Sequence, residues 1–271
     1  MNSEILKLHQ DFLNINNNVI SSNWIISPLD YFWSDGKILF DKIFFGSYEN
    51  ELSELIVAEL YKMTMQCNFR AKMIVLCYMK ESNISQFSLE IENGLLHFYS
   101  LDFISTISQW IYVFEGIIRD MFGLSGQSEI TKHERWDSLY SSDNDYQDLM
   151  DAFIASIKNF TKNVLFQRND DLQSTSINRH LLGHGKVYNK EFYNQANCLK
   201  LLFALDTLLM IEMLQNGNFP KIFNSTDNET IRIDKRKNLY SLKLQKVFDN
   251  DNLLKNDIMK EHLKNRIRGN V

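Results

Sequence analysis

Apolar side chains recur along most of this chain at the spacing of helices. The clearest run is Phe103, Ile107, Trp110, Phe114, Ile117 and Met121, stepped alternately by four and three residues. Such a stripe lines one face of a long helix, as packing in a bundle requires. Gly123 and Gly126 end it, and a polar connection containing Asp143-Asn144-Asp145 follows. Leu149, Phe153, Ile157, Phe160, Val164 and Leu165 then mark another helix, which exits at Asn169-Asp170-Asp171. Earlier, Leu52, Leu55, Ile56, Leu60 and Met63 fall at helical spacing, and Phe69 to Lys80 predicts a helix with Met73, Ile74 and Cys77 inward. The most apolar run, Leu199 to Leu214, is interrupted by Lys200, Asp206, Thr207 and Glu212. It reads as a buried core helix and not as a membrane span.

The first fifty residues are less regular. Trp24, Tyr31, Phe32, Trp33 and the run Ile38 to Phe45, punctuated by Pro28 and Gly36, suggest irregular packing or short strands. Beyond Pro220 a polar loop at 224–228 precedes helices predicted over Leu239–Val247 and Leu253–Ile267. The pattern as a whole is all-α, mainly a helical bundle. The polar stretch Ser82 to Ser88 suggests a break. We divide the chain into a mostly helical region 1–94, a bundle at 95–216 and a basic helical tail at 217–271.

Composition supports long helices over a turn-rich β fold: 271 residues carry only 2 prolines and 10 glycines, and 44% are hydrophobic. The three cysteines, Cys67, Cys77 and Cys198, form no CxxC pair and read as buried thiols in a reducing compartment. The N-terminus shows no basic segment leading into an apolar core, so the reading is cytoplasmic, with no membrane partner. Net charge is −5, yet Arg232 to Val271 holds eleven Lys or Arg against five Asp or Glu. That tail is either a solvated helix face or a source of phosphate attraction.

The residues most suggestive of chemistry are Asn178-Arg179-His180-Leu181-Leu182-Gly183-His184-Gly185. Arginine grips phosphate in a two-pronged geometry, and histidine exchanges protons near neutral pH. Together they can position and cut an RNA phosphodiester without a metal. Capping hydroxyls at Ser174-Thr175-Ser176 place Arg179 in a first helical turn, where the helix dipole disfavours a cation unless an anion visits.

The segment resembles the R-x4-6-H signature of HEPN domains, helical ribonuclease-type modules of microbial defence and toxin–antitoxin systems. The resemblance covers roughly Leu95 to Leu214 and includes Phe114-Glu115-Gly116 on the helix upstream. Gly183 stands where a bulkier residue is usual. The resemblance implies a metal-independent endoribonuclease with RNA as partner and no cofactor. His184 would act as base or acid, Arg179 as phosphate clamp, His180 or Asn178 as positioning groups, and Glu115 as an acid orienting Arg179 or a histidine. It also implies a homodimer whose two motifs face one another, and an antitoxin or defence-system partner. The same family includes non-catalytic sensor or scaffold modules.

Other readings stay open on the residues alone. Arg179 and His184 would serve equally as capping or salt-bridging groups in a bundle. His180 and His184, four apart on a helix, have metal-ligand spacing, but Leu181 replaces the glutamate of the H-E-x-x-H motif and no Glu-x-x-His occurs. Glu115 has Arg119 four residues on, the spacing of an ordinary surface ion pair.

Overall fold

The computed structural model describes residues 3–21, 24–33, 36–45, 54–124, 144–166, 192–219 and 225–249, together with 136, 139, 177–179 and 182. Within them the chain is helical and contains no strand. The helices are α1 (Ser3–Ser21), α2 (Pro28–Trp33), α3 (Gly36–Phe45), α4 (Glu54–Thr64), α5 (Cys67–Met73), α6 (Ser82–Ser85), α7 (Ser88–Tyr99), α8 (Phe103–Met121), α9 (Gln147–Phe160), α10 (Gln195–Gln215) and α11 (Asp227–Asp249). Both α5 and α9 run on into π-helical turns, Ile74–Tyr78 and Thr161–Leu165.

The longest sequence stripe is realised as written. Asp102 caps α8 by accepting a hydrogen bond from the Ser105 amide at 3.1 Å, and Ile107, Trp110, Phe114 and Ile117 are buried. Past its end, Gly123 takes a left-handed φ of 60°, the conformation that suits glycine after a helix terminus. α7 and α8 form a tight antiparallel pair. Gly94 makes this possible: a Cβ there would come within 2.1 Å of the Trp110 Nε1. The indole instead lies against the α7 backbone and donates to the Ile91 carbonyl at 3.3 Å.

α10 is the axis of the molecule. Every residue from Asn197 to Leu214 except Lys200 is buried, and α2, α4, α8 and α9 all pack on it. A helix apolar all round belongs in a core, and its polar interruptions must then be satisfied internally. Thr207 donates to the Phe203 carbonyl at 2.7 Å. Glu212 accepts from the Ser82 hydroxyl at 2.9 Å and the Asn83 amide at 2.7 Å, and burial raises its pKa against those bonds. Among the described residues no helix is long and apolar enough to cross a membrane.

Asp206 anchors a buried ionic network. Its carboxylate takes two hydrogen bonds from Arg70 Nη1, at 3.1 and 2.9 Å, one from Tyr78 at 2.5 Å and one from Ser27 at 2.6 Å. Arg70 Nη2 also bonds the Asp30 carboxylate, and the Asp30 amide donates to Ser27 Oγ at 3.0 Å. Asp30 and Asp206 are wholly buried and Arg70 nearly so. One guanidinium thus faces two carboxylates. Burial pushes the Asp30 carboxyl up to about 6, against the opposing pull of Arg70. The π turn after α5 delivers Tyr78 to this network, with the Met79 amide bonded to the Ile74 carbonyl five residues back.

The expectations for the two ends of the chain change in part. The N-terminal part is helical in α1 to α3, with no strand among its described residues, and the buried stretch 24–27 ahead of α2 is irregular. Pro28 begins α2, where its fixed φ suits the first helical turn, and Phe40 of α3 is fully buried. The boundary read at 94/95 falls inside α7, and the polar run before it forms the short helix α6. A single buried cluster extends from Phe12 of α1 to Val247 of α11, so 1–94 shares its core with the rest. In the tail, α11 begins at Asp227, earlier than the expected Leu239, and residues 253–267 lie outside the described set.

Candidate active site

Glu115 and Arg179 are brought together from positions 64 residues apart. The Arg179 Nε donates to Glu115 Oε1 at 2.5 Å, with the carboxylate side chain 13% exposed and the guanidinium side chain 36%. The carboxylate thus has an ion-pair partner far off in sequence. Next in the chain, Gly116 lets α8 pack closely: a Cβ there would stand 2.6 Å from the Phe87 ring.

The Leu182 amide donates to the Asn178 carbonyl at 3.3 Å, a helical i to i+4 bond. Arg179 is therefore the first residue of a helical turn, where aligned peptide dipoles disfavour a cation. Glu115 offsets that penalty locally. A guanidinium has five N–H donors in a rigid fork, and only the Nε donor is bonded among the described residues. Asn178 is buried, 3% exposed, and Leu182 packs against the core. His180 and His184, with Gly183 and Gly185, lie outside the described residues. The structure thus joins Glu115 to Arg179 and buries Asn178 directly before that arginine.

Two further features were given no role in the sequence reading. Tyr112, one helical turn before Glu115 on α8, is 72% exposed. Lys200, on α10, lies over the Trp24 ring at 4.9 Å, and burial lowers its ammonium pKa to about 8. Neither sits in a motif; Tyr112 was detectable only as an aromatic off the α8 stripe.

Among the described residues, no group of three or more His, Cys, Asp or Glu side chains is arranged to hold a metal ion. Comparison with protein-family models, with curated proteins and with solved structures returns no match.

Proposed function

We propose that this chain is a metal-independent endoribonuclease of HEPN-like type, working in microbial defence or toxin-mediated growth arrest. The observation that supports it most is the partly exposed Arg179 guanidinium held through Nε by the Glu115 carboxylate. That grip fixes the plane of the guanidinium and leaves its terminal nitrogens to clamp a phosphate. In the proposed reaction a base takes the ribose 2′-OH proton, and the 2′ oxygen attacks the adjacent phosphorus. Arg179 stabilises charge growing on the phosphoryl oxygens, and an acid protonates the departing 5′ oxygen. The ends are a 2′,3′-cyclic phosphate and a 5′-hydroxyl.

His184 is the proposed base or acid, with His180 and Asn178 helping to position the motif. Base and acid act on opposite sides of the phosphate, so a homodimer with facing motifs would supply both. The exposed Tyr112 ring offers a face on which a nucleobase can stack.

Incubation of purified protein with end-labelled RNA in EDTA tests the proposal. The expected result is cleavage with cyclic phosphate ends, no cleavage at a 2′-deoxy position, and a dimer by sedimentation. Absence of cleavage with helical content intact would favour the alternative, a non-catalytic sensor or interaction module. Activity restored only by added metal would overturn the mechanism. A fully active monomer would remove the shared site alone.

A further inference from the structure

Lys200 is the one charged side chain of α10 with neither an ion pair nor a hydrogen bond among the described residues. On the same helix Asp206 is held by Arg70, and Glu212 accepts from Ser82 and Asn83. The Lys200 Nζ lies instead over the Trp24 ring, 4.9 Å from its centroid, and that ring is itself buried. Lys200 is only partly exposed on a helix whose other residues from Asn197 to Leu214 are all buried. An ammonium in such a seat gives up much of its hydration and receives only the pull of the indole face in return.

The surroundings supply no counter-charge. Between Asp11 and Asp30, the stretch that forms the end of α1 and carries Trp24, no side chain is ionisable. The Trp24 amide bonds the Val19 carbonyl, which keeps this stretch against the α1 terminus. α9 runs beside α1, with Asn16 bonded to the Ala152 carbonyl and Asn159 to that of Ile20. Its end nearest Trp24 therefore carries Lys158, with Lys162 in the following turn, while Asp148 and Asp151 lie toward the other end. The described acids of α2, α4 and α8 have partners of their own. Asp30 bonds Arg70, Glu59 bonds Lys62, Asp102 takes Ser105 and His97, Glu115 takes Arg179, and Asp120 takes Gln86. Lys62 and Arg119 add only like charge, and Tyr61 and Cys198 are buried with their ionisation pushed well up. Burial thus acts on the Lys200 amine unopposed and lowers it to about 8, which leaves a sizeable neutral, nucleophilic fraction near neutral pH.

We propose that Lys200 is an acylation site, taking small acyl groups directly from acyl phosphates. The Nζ lone pair attacks the acyl carbon, a C–N bond forms, and the C–O bond to phosphate breaks. Phosphate leaves with the electron pair, and the proton on nitrogen passes to water. The product suits its seat: an amide carries no charge for burial to penalise, and its N–H can still point at the indole face. An aldehyde would instead give an imine that is readily protonated, which restores the penalised charge. Acyl transfer is therefore the chemistry that these surroundings favour.

The test exposes the full chain to acetyl phosphate across a pH series, with peptide mapping by mass spectrometry. At about pH 7.5 Lys200 is expected to be acetylated about tenfold or more faster than Lys235, Lys237 and Lys246, which stand exposed on α11. Its rate should reach half of its plateau at a pH of about 8, where the α11 lysines are still rising. In urea the advantage should vanish, because it belongs to the folded surroundings. Lys200→Arg should leave acetylation of the α11 lysines unchanged. Failure of Lys200 to outpace those lysines, an advantage that survives in urea, or a rate still rising above about pH 10 overturns the proposal.

Discussion

Arg70→Leu is expected to destabilise the protein by about 3–5 kcal/mol in urea unfolding, because it strands two buried carboxylates. Asp30 and Asp206 share that guanidinium, and neither can turn to solvent. Replacing all three at once (Arg70→Leu, Asp30→Asn, Asp206→Asn) should recover much of the loss, since no unpaired charge then remains buried. A loss under about 1 kcal/mol for the single variant would show that the network contributes little. Its pH dependence has a definite sign. The folded Asp30 carboxyl titrates at about 6, against an ordinary value of 3.8. A raised acid contributes stability that is fully present below the ordinary value and is lost as pH rises through the folded one. Relative to Asp30→Asn, the parent protein should therefore weaken between those two values and level off above them. A difference that is flat across this window would refute the buried titration.

Arg179→Ala and His184→Ala should each lower RNA cleavage by about 10² or more while leaving folding nearly unchanged. The arginine is partly exposed, so its removal opens no cavity in the core. Glu115→Gln separates positioning from catalysis. It keeps the shape and one acceptor for Arg179 Nε but removes the charge, so its activity should fall between the parent and Arg179→Ala. Glu115→Ala combined with Arg179→Ala should be no worse than Arg179→Ala alone if Glu115 works through the arginine. Undiminished cleavage by either the Arg179 or the His184 variant would sink the nuclease assignment.

Much of the helical layout was legible in the sequence, because amphipathic stripes and terminators are local signals. α8 shows this best: its stripe and its end at Gly123 were both read from within two dozen residues, although the cap at Asp102 was not. α3 was harder, since Ile38 to Phe45 is apolar on most sides and such a run has no clear period. Asp206 was read only as an interruption in an apolar helix. Its partners are 128, 136 and 179 positions away, and no local pattern encodes pairings that distant. The Glu115–Arg179 pair lay between these cases. The residues were visible, but sequence spacing favoured Arg119 no less than Arg179 as a partner of Glu115, and tertiary packing brought in Arg179.

The position of α10 in the chain has a consequence for biosynthesis. α2 and α4 pack on a helix that begins only at Gln195, and Arg70 finds Asp206 after 136 further residues have been added. At roughly 5–20 residues per second, a ribosome takes on the order of ten seconds to supply that partner. Throughout that interval the nascent α1 to α5 segment holds an uncovered apolar surface, and Arg70 has only Asp30 of its two carboxylate partners. Release of the chain before α10 emerges should yield an aggregation-prone fragment, making the nascent N-terminal third a natural client for a holding chaperone.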